Sequence, residues 1–279
     1  MTRGYGTTGG RILGARRNTG FTLVELAVVI FVVALLLGSI VVPLSSQVEQ
    51  RQFADAQRQL QEIQEGLIGY ALGQPAAALP CPDLTAPAGS YTPNDGIEDV
   101  DIATGACAAP EGNVPWVTLG MGISDPWGNR YRYRVTPGMA QRAPGTPFSL
   151  ATPNGAMQVV CLASTEPVLP PPECTPGQLI TEAANSANAV VAVILSHGPN
   201  GWGAINPITN APNLPAGCSD VPTCGTISGN EKENGDADAF FVSRQPSPPM
   251  SKVGEFDDIV VSLSPHTLKH RMVAAGKLP

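Results

Sequence analysis

One carboxylate in this chain sits where carboxylates are rare. Glu25 stands at the start of an apolar run, and no residue from Leu26 to Val48 is charged. Such a run is long enough to cross a bilayer as a helix, which takes about 20 apolar residues. A charge at the edge of hydrocarbon is costly, and it marks a functional position. Arg3, Arg11, Arg16 and Arg17 precede it with no acidic residue among them. By the positive-inside rule these arginines keep that end in the cytoplasm and send the rest of the chain outward. The polar break at Gly20 comes before the apolar segment, whereas a secretory signal places its cleavage site after it.

A second group of oxygens lies far along the chain. Glu231, Glu233, Asn234, Asp236 and Asp238 come just before a predicted strand, and Asp257 and Asp258 open the last one. Calcium takes several hard oxygens from carboxylates, amides and carbonyls on flexible loops. A solvated acidic loop is the other meaning of the same residues, and sequence leaves both open. The stretch Asn94 to Asp101 is also acidic, but it lacks the spacing of a calcium-binding helix–loop–helix and is expected to be a plain turn.

All six cysteines (Cys81, Cys107, Cys161, Cys174, Cys218 and Cys224) lie beyond the apolar run. An even count in an exported domain indicates disulfides. Sequence does not select a connectivity. Neighbour pairing is the arrangement expected: Cys81–Cys107, Cys161–Cys174 and Cys218–Cys224. A zinc site is disfavoured, because there is no Cys-x-x-Cys and the three histidines are not interleaved with the cysteines. No nucleophile elbow, phosphate loop or His-Glu-x-x-His is present. His197 stands in a Gly/Pro/Asn turn and is expected to serve it by hydrogen bonding. No enzyme and no required cofactor are expected.

The elements that carry these groups follow from periodicity. Residues 22–72 predict one long helix of about 75 Å. Its first half is apolar all round. From Gln47 its second half is amphipathic, with Phe53, Ala56, Leu60, Ile63, Leu67 and Tyr70 on one face. Pro43 should kink or break it. Residues 74–130 predict a long Pro/Gly-rich connection with few strand signals. Strands are expected at Tyr131–Val135, Met157–Leu162, Ala189–Ser196, Ala239–Ser243 and Asp258–Leu263. Val190 to Leu195 is nearly all apolar, as a central strand covered on both faces would be. A long loop covers about 197–236. Ser264-Pro265 predicts an N-cap followed by Pro at the first position of a short C-terminal helix.

The chain has 279 residues, of which 14% are charged, with 30 Gly and 28 Pro. Beyond residue 20 there are 12 basic residues (16 less the four arginines) and 23 acidic ones, a net charge of −11. That balance argues against nucleic-acid binding, which needs a basic footprint. The 259 residues beyond residue 20 suffice for one helix and one modest globular domain.

Gly20-Phe21-Thr22-Leu23-Val24-Glu25-Leu26 resembles the signal of type IV pilins and type II secretion pseudopilins. The resemblance implies cleavage between Gly20 and Phe21 by a prepilin peptidase and N-methylation of Phe21. It also implies that Glu25 acts in assembly by pairing with the Phe21 amine of a neighbouring subunit. A second block, Asp125-Pro126-Trp127-Gly128-Asn129, resembles the segment that opens the sheet in major pseudopilins, and its role is expected to be structural. A third resemblance joins Ser196-His197-Gly198-Pro199-Asn200-Gly201 to Gly235-Asp236-Ala237-Asp238, the calcium loop of that family. It implies a calcium set of Ser196, Asn200, Asp236, Asp238, Asp257 and Asp258. Two departures stand out. Asn200 replaces an acidic residue, and 34 residues lie between it and Gly235.

The expected architecture is α+β and pilin-like: a long N-terminal helix packed on an antiparallel sheet. Its parts are a cleaved leader (1–20), a transmembrane and filament-core helix (21–46) and a periplasmic domain (47–279). The expected function is that of a minor pilin or minor pseudopilin, held as a single-pass protein in the inner membrane before assembly. Its partners would be the prepilin peptidase, other pilin or pseudopilin subunits and the inner-membrane assembly platform. A major pseudopilin is one alternative. A membrane-anchored binding or adhesion module that does not polymerise is the other.

Overall fold

The computed structural model describes residues 22–153, 155, 157–160, 189–237, 239–251 and 254–279, without the side chains of 37–46, 158 and 160. Gly20, Phe21, Cys161, Cys174 and Asp238 therefore lie outside the described residues. The chain forms two compact units, Met1–Glu49 and Gln50–Pro279.

Helix α1 is Leu23–Gly73. Its assignment runs through Pro43. In the first unit its side chains face outward, with Leu23, Val24, Ile30 and Phe31 all well exposed. Among the described residues no helix is long and apolar enough to cross a membrane. The side chains of 37–46, in the middle of the uncharged run, are not among those residues.

In the second unit the end of α1 buries the predicted stripe. Ala56, Leu60, Ile63, Leu67, Ile68 and Ala71 are all 3% exposed or less. All but Ala56 share one core with Tyr131 and with Tyr133, Val135, Ala192, Ile194 and Leu263 from a sheet. Burying a side chain of the size of Leu or Ile stabilises by about 1.5–3 kcal/mol, so this stripe is the main attachment of helix to sheet.

That sheet has four strands, β1 (Glu111–Asn113), β2 (Arg132–Val135), β4 (Ala192–Ser196) and β6 (Ile259–Leu263), in the order β1-β2-β4-β6. All three pairings are antiparallel. β4 is buried throughout, as its apolar run predicts. Ile194 faces the α1 core, while Val193 and Leu195 face a second cluster with Met157, Val159 and Phe241.

This second cluster corrects the expected single sheet. β3 (Gln158–Val160) and β5 (Phe240–Val242) do not join it; they pair with each other in parallel. A central strand that is apolar on both faces needs a cover on each. α1 supplies one and the β3–β5 pair contributes to the other.

The connection 74–130 is also more ordered than expected. It contains β1 and a one-turn helix, α2 (Trp116–Leu119). A further short helix, α3 (Pro137–Ala140), follows β2. Another, α4 (Gly229–Gly235), occupies the acidic stretch, with Ser228 as N-cap. α5 (Pro265–Ala274) starts as predicted, the Ser264 side chain accepting from the His266 N–H. Cys81–Cys107 and Cys218–Cys224 are disulfides, two of the three neighbour pairs expected. Cys161 and Cys174, the third pair, lie outside the described residues.

Candidate functional site

The N-terminal end of α1 is closed by a reciprocal cap. The Thr22 N–H and hydroxyl both donate to Glu25 Oε2 at 2.9 Å, and the Glu25 N–H donates to Thr22 Oγ1 at 3.2 Å. Together these bonds form a capping box, in which the first residue and the third helical residue satisfy each other's orphan groups. Glu25 thus has a partner within its own chain, where sequence reasoning looked for one only across a subunit boundary. The Thr-x-x-Glu spacing carried that signal, and the cleavage motif around it drew the attention instead.

The Asp125–Asn129 block acts as a structural hub. Asp125 is buried, and its Oδ1 accepts from the N–H groups of Trp127 (3.0 Å) and Asn129 (2.8 Å). Its Oδ2 takes the Ser196 hydroxyl at 2.6 Å, at the end of β4. Burial pushes the Asp125 carboxyl above its ordinary range. The Asn129 amide donates to the Gly198 carbonyl and accepts from Asn213. The Trp127 ring meets Phe53 of α1 edge-on at 5.0 Å. The block therefore joins helix, sheet and the 197–213 loop, the structural role expected of it.

The loop after β4 is held tightly against residues before β6. Gly198 has φ +59°, and a Cβ there would fall 2.4 Å from the Asp257 carbonyl oxygen. Only glycine fits both the backbone and that contact. The Asn200 N–H donates to Asp257 Oδ2 at 2.9 Å, and the Asn200 amide donates to Glu231 Oε1 at 2.9 Å. Asp258 Oδ2 accepts from Asn234, and Asp258 Oδ1 lies 3.4 Å from His197 Nδ1. Glu231, Asn234, Asp257, Asp258 and His197 are all buried. Burial pushes the Glu231 carboxyl up to about 8, with Asp258 adding to the effect. Burial likewise pushes Asp257 up to about 7. Glu231, Asp257 and Asp258 are therefore not part of a solvated loop, while Glu233 and Asp236 are half-buried.

The implied calcium set is only partly assembled. Asn200, Asp257 and Asp258 come together, and Glu231, outside the implied set, joins them. The Ser196 hydroxyl is taken by Asp125 and by the Gly198 N–H. The Asp236 carbonyl accepts from Arg132. Buried oxygens without a hydrogen-bond partner remain on Glu231 (Oε2) and Asp257 (Oδ1). Among the described residues no group of three or more His, Cys, Asp and Glu could hold a metal ion.

Residues 15–41 match the family model of the prokaryotic N-terminal methylation motif. The chain carries the type IV pilin and pseudopilin signal. This signal contains Gly20, Phe21, Thr22 and Glu25, so the capping box lies inside it. The pilin-type signal implies processing by a prepilin peptidase and assembly with other pilins. It suggests membrane anchoring and points to structural subunits, not to enzymes. The chain matches no curated protein and no solved structure.

Proposed function

We propose that this protein is a minor subunit of a type IV pilus or type II secretion pseudopilus. In this reading prepilin peptidase cuts between Gly20 and Phe21, and the new Phe21 amine is methylated. The 21–46 segment holds the subunit in the inner membrane as a single pass. The assembly platform then moves it into a filament, with Glu25 pairing to the Phe21 amine of a neighbour. The methylation motif over residues 15–41, running into α1, is the observation that carries the proposal. The size of the second unit supports a minor role. It bears long disulfide-tied loops, which a tightly packed shaft of identical subunits would have to accommodate at every position.

Two measurements test it. Mass spectrometry of the chain co-expressed with a prepilin peptidase should show a methylated Phe21 at its N-terminus; an intact Met1 end would overturn the processing. Glu25→Leu should leave membrane insertion unchanged while reducing recovery in sheared filaments at least ~10-fold, as expected when a desolvated charge pair is broken. Incorporation equal to the wild type would refute the assembly role.

A further inference from the structure

The chain has three histidines, and two of them share one short helix. His266 and His270 stand four residues apart on α5, with Thr267, Leu268 and Lys269 between them. Residues at that spacing are neighbours on one helix face, their Cβ atoms roughly 5–6 Å apart. Pro265, Leu268 and Met272 form the buried side of α5, and both histidines are exposed. The third, His197, is buried in the loop after β4.

The spacing is fixed by tertiary packing. A helix of ten residues is marginal by itself in water. Here Leu268 and Met272 are fully buried and belong to the core that joins α1 to the sheet. Leu278, just beyond the helix, reaches the same core. Ser264 caps the first turn. Arg271 Nη2 donates to both carboxylate oxygens of Glu65 on α1, at 2.8 and 3.0 Å. The two imidazoles therefore project from a backbone that is already ordered, and a ligand that joins them does not have to form the helix.

The cations nearby are turned elsewhere. Lys269 Nζ donates to the carbonyls of Leu150 and Thr152 at 3.0 and 2.7 Å. Lys277 Nζ donates to the Gln74 carbonyl at 2.9 Å. No carboxylate lies on α5. The pair is thus a nitrogen donor set. Hard cations such as calcium and magnesium take oxygen ligands, whereas imidazole suits copper, nickel and zinc. Imidazoles about 2 Å from one ion can span the separation of residues four apart, as paired histidines on zinc-binding helices do.

We propose that His266 and His270 form a two-imidazole site for a divalent transition-metal ion, with copper(II) held most tightly and zinc more weakly. Copper stands above zinc in the affinity order of the first-row divalent ions. Two ligands make an exposed site whose remaining positions are filled by water. The site is separate from the buried carboxylates around Glu231, and it depends neither on filament assembly nor on processing at Gly20.

The test uses the full chain in detergent, titrated with copper(II) chloride or zinc chloride in a non-coordinating buffer and followed by calorimetry. His266→Gln and His270→Gln should each weaken copper binding at least ~10-fold, since even the loss of a group that merely orients a ligand costs that much. Both changes are on the surface and should leave the metal-free melting temperature within ~1 °C of the wild type. Electron paramagnetic resonance of the copper-loaded chain should show nitrogen splitting from two imidazoles. Calcium chloride at ~100-fold excess should not displace the copper. The proposal fails if the wild type takes up no copper, or if either single variant binds as the wild type does, since one imidazole would then suffice. It also fails if the spectrum shows oxygen ligands alone, or if calcium competes, which would place the ion on carboxylates.

Discussion

Asn200 bonds both Glu231 and Asp257, and Asp258 adds a further carboxylate that acts on each of them. Burial makes Glu231 and Asp257 hold their protons in the folded state to a higher pH than in the unfolded chain. Their contribution to stability is therefore complete below the ordinary carboxyl range and is lost as pH rises through about 7 and about 8. Asp83, pushed up to about 6 by burial, acts in the same direction at lower pH. The melting temperature should accordingly fall between about pH 5 and pH 8.5, the reverse of the usual behaviour of salt-bridged carboxylates. Glu231→Gln should flatten that slope, and a thermal melt series across pH measures it. Calcium chloride added at about pH 8 tests the implied cation site. A rise in melting temperature that disappears in Glu231→Gln would mean a cation neutralises the pair; no rise would leave the proton in that role. The Thr22–Glu25 box was legible in the Thr-x-x-Glu spacing, which the cleavage signal overlies.

At the scale of elements, the two ends of the domain were the most legible. The 3-4 spacing from Phe53 to Tyr70 marked the buried face of α1, and Ala56, Leu60, Ile63 and Leu67 on it are all buried. The N-cap of α5 was equally plain, and its contribution is measurable. Ser264→Ala should cost about 1 kcal/mol, seen as a drop of ~2–4 °C in the melting temperature. The all-apolar β4 announced a strand covered on both sides. What covers it did not follow from sequence. β3 (Gln-Val-Val) and β5 (Phe-Phe-Val) are three-residue runs, and so short a run cannot say which sheet a strand joins. β1 and α2 escaped for another reason. β1 is three residues (Glu-Gly-Asn) and α2 four, too short for any period to register. α4 was hidden by its composition, since an acidic run signals solvent unless its side chains are known to be buried. In the calcium-like loop, glycine and asparagine did mark the tight turn at Gly198. The ligand set implied there by resemblance was less secure, because Ser196 is spent on Asp125.

For the molecule as a whole, the two disulfides differ in what they hold. Cys81–Cys107 spans 26 residues and Cys218–Cys224 only 6. The loop-entropy model gives roughly 3–4 kcal/mol for the first and roughly 2 kcal/mol for the second. Replacing Cys81 and Cys107 together by Ser should therefore lower the denaturant midpoint more than replacing Cys218 and Cys224, and chemical denaturation of the two double variants compares them. Both bridges also close between neighbouring cysteines in the chain. In the proposed reading, a chain threaded outward from an anchored N-terminal end delivers Cys81 and Cys107 before Cys218 and Cys224 emerge. The first correct partner is then already present, and the later thiols arrive when the earlier ones are spent. In that reading the two described bridges can oxidise in the order in which their cysteines are exported.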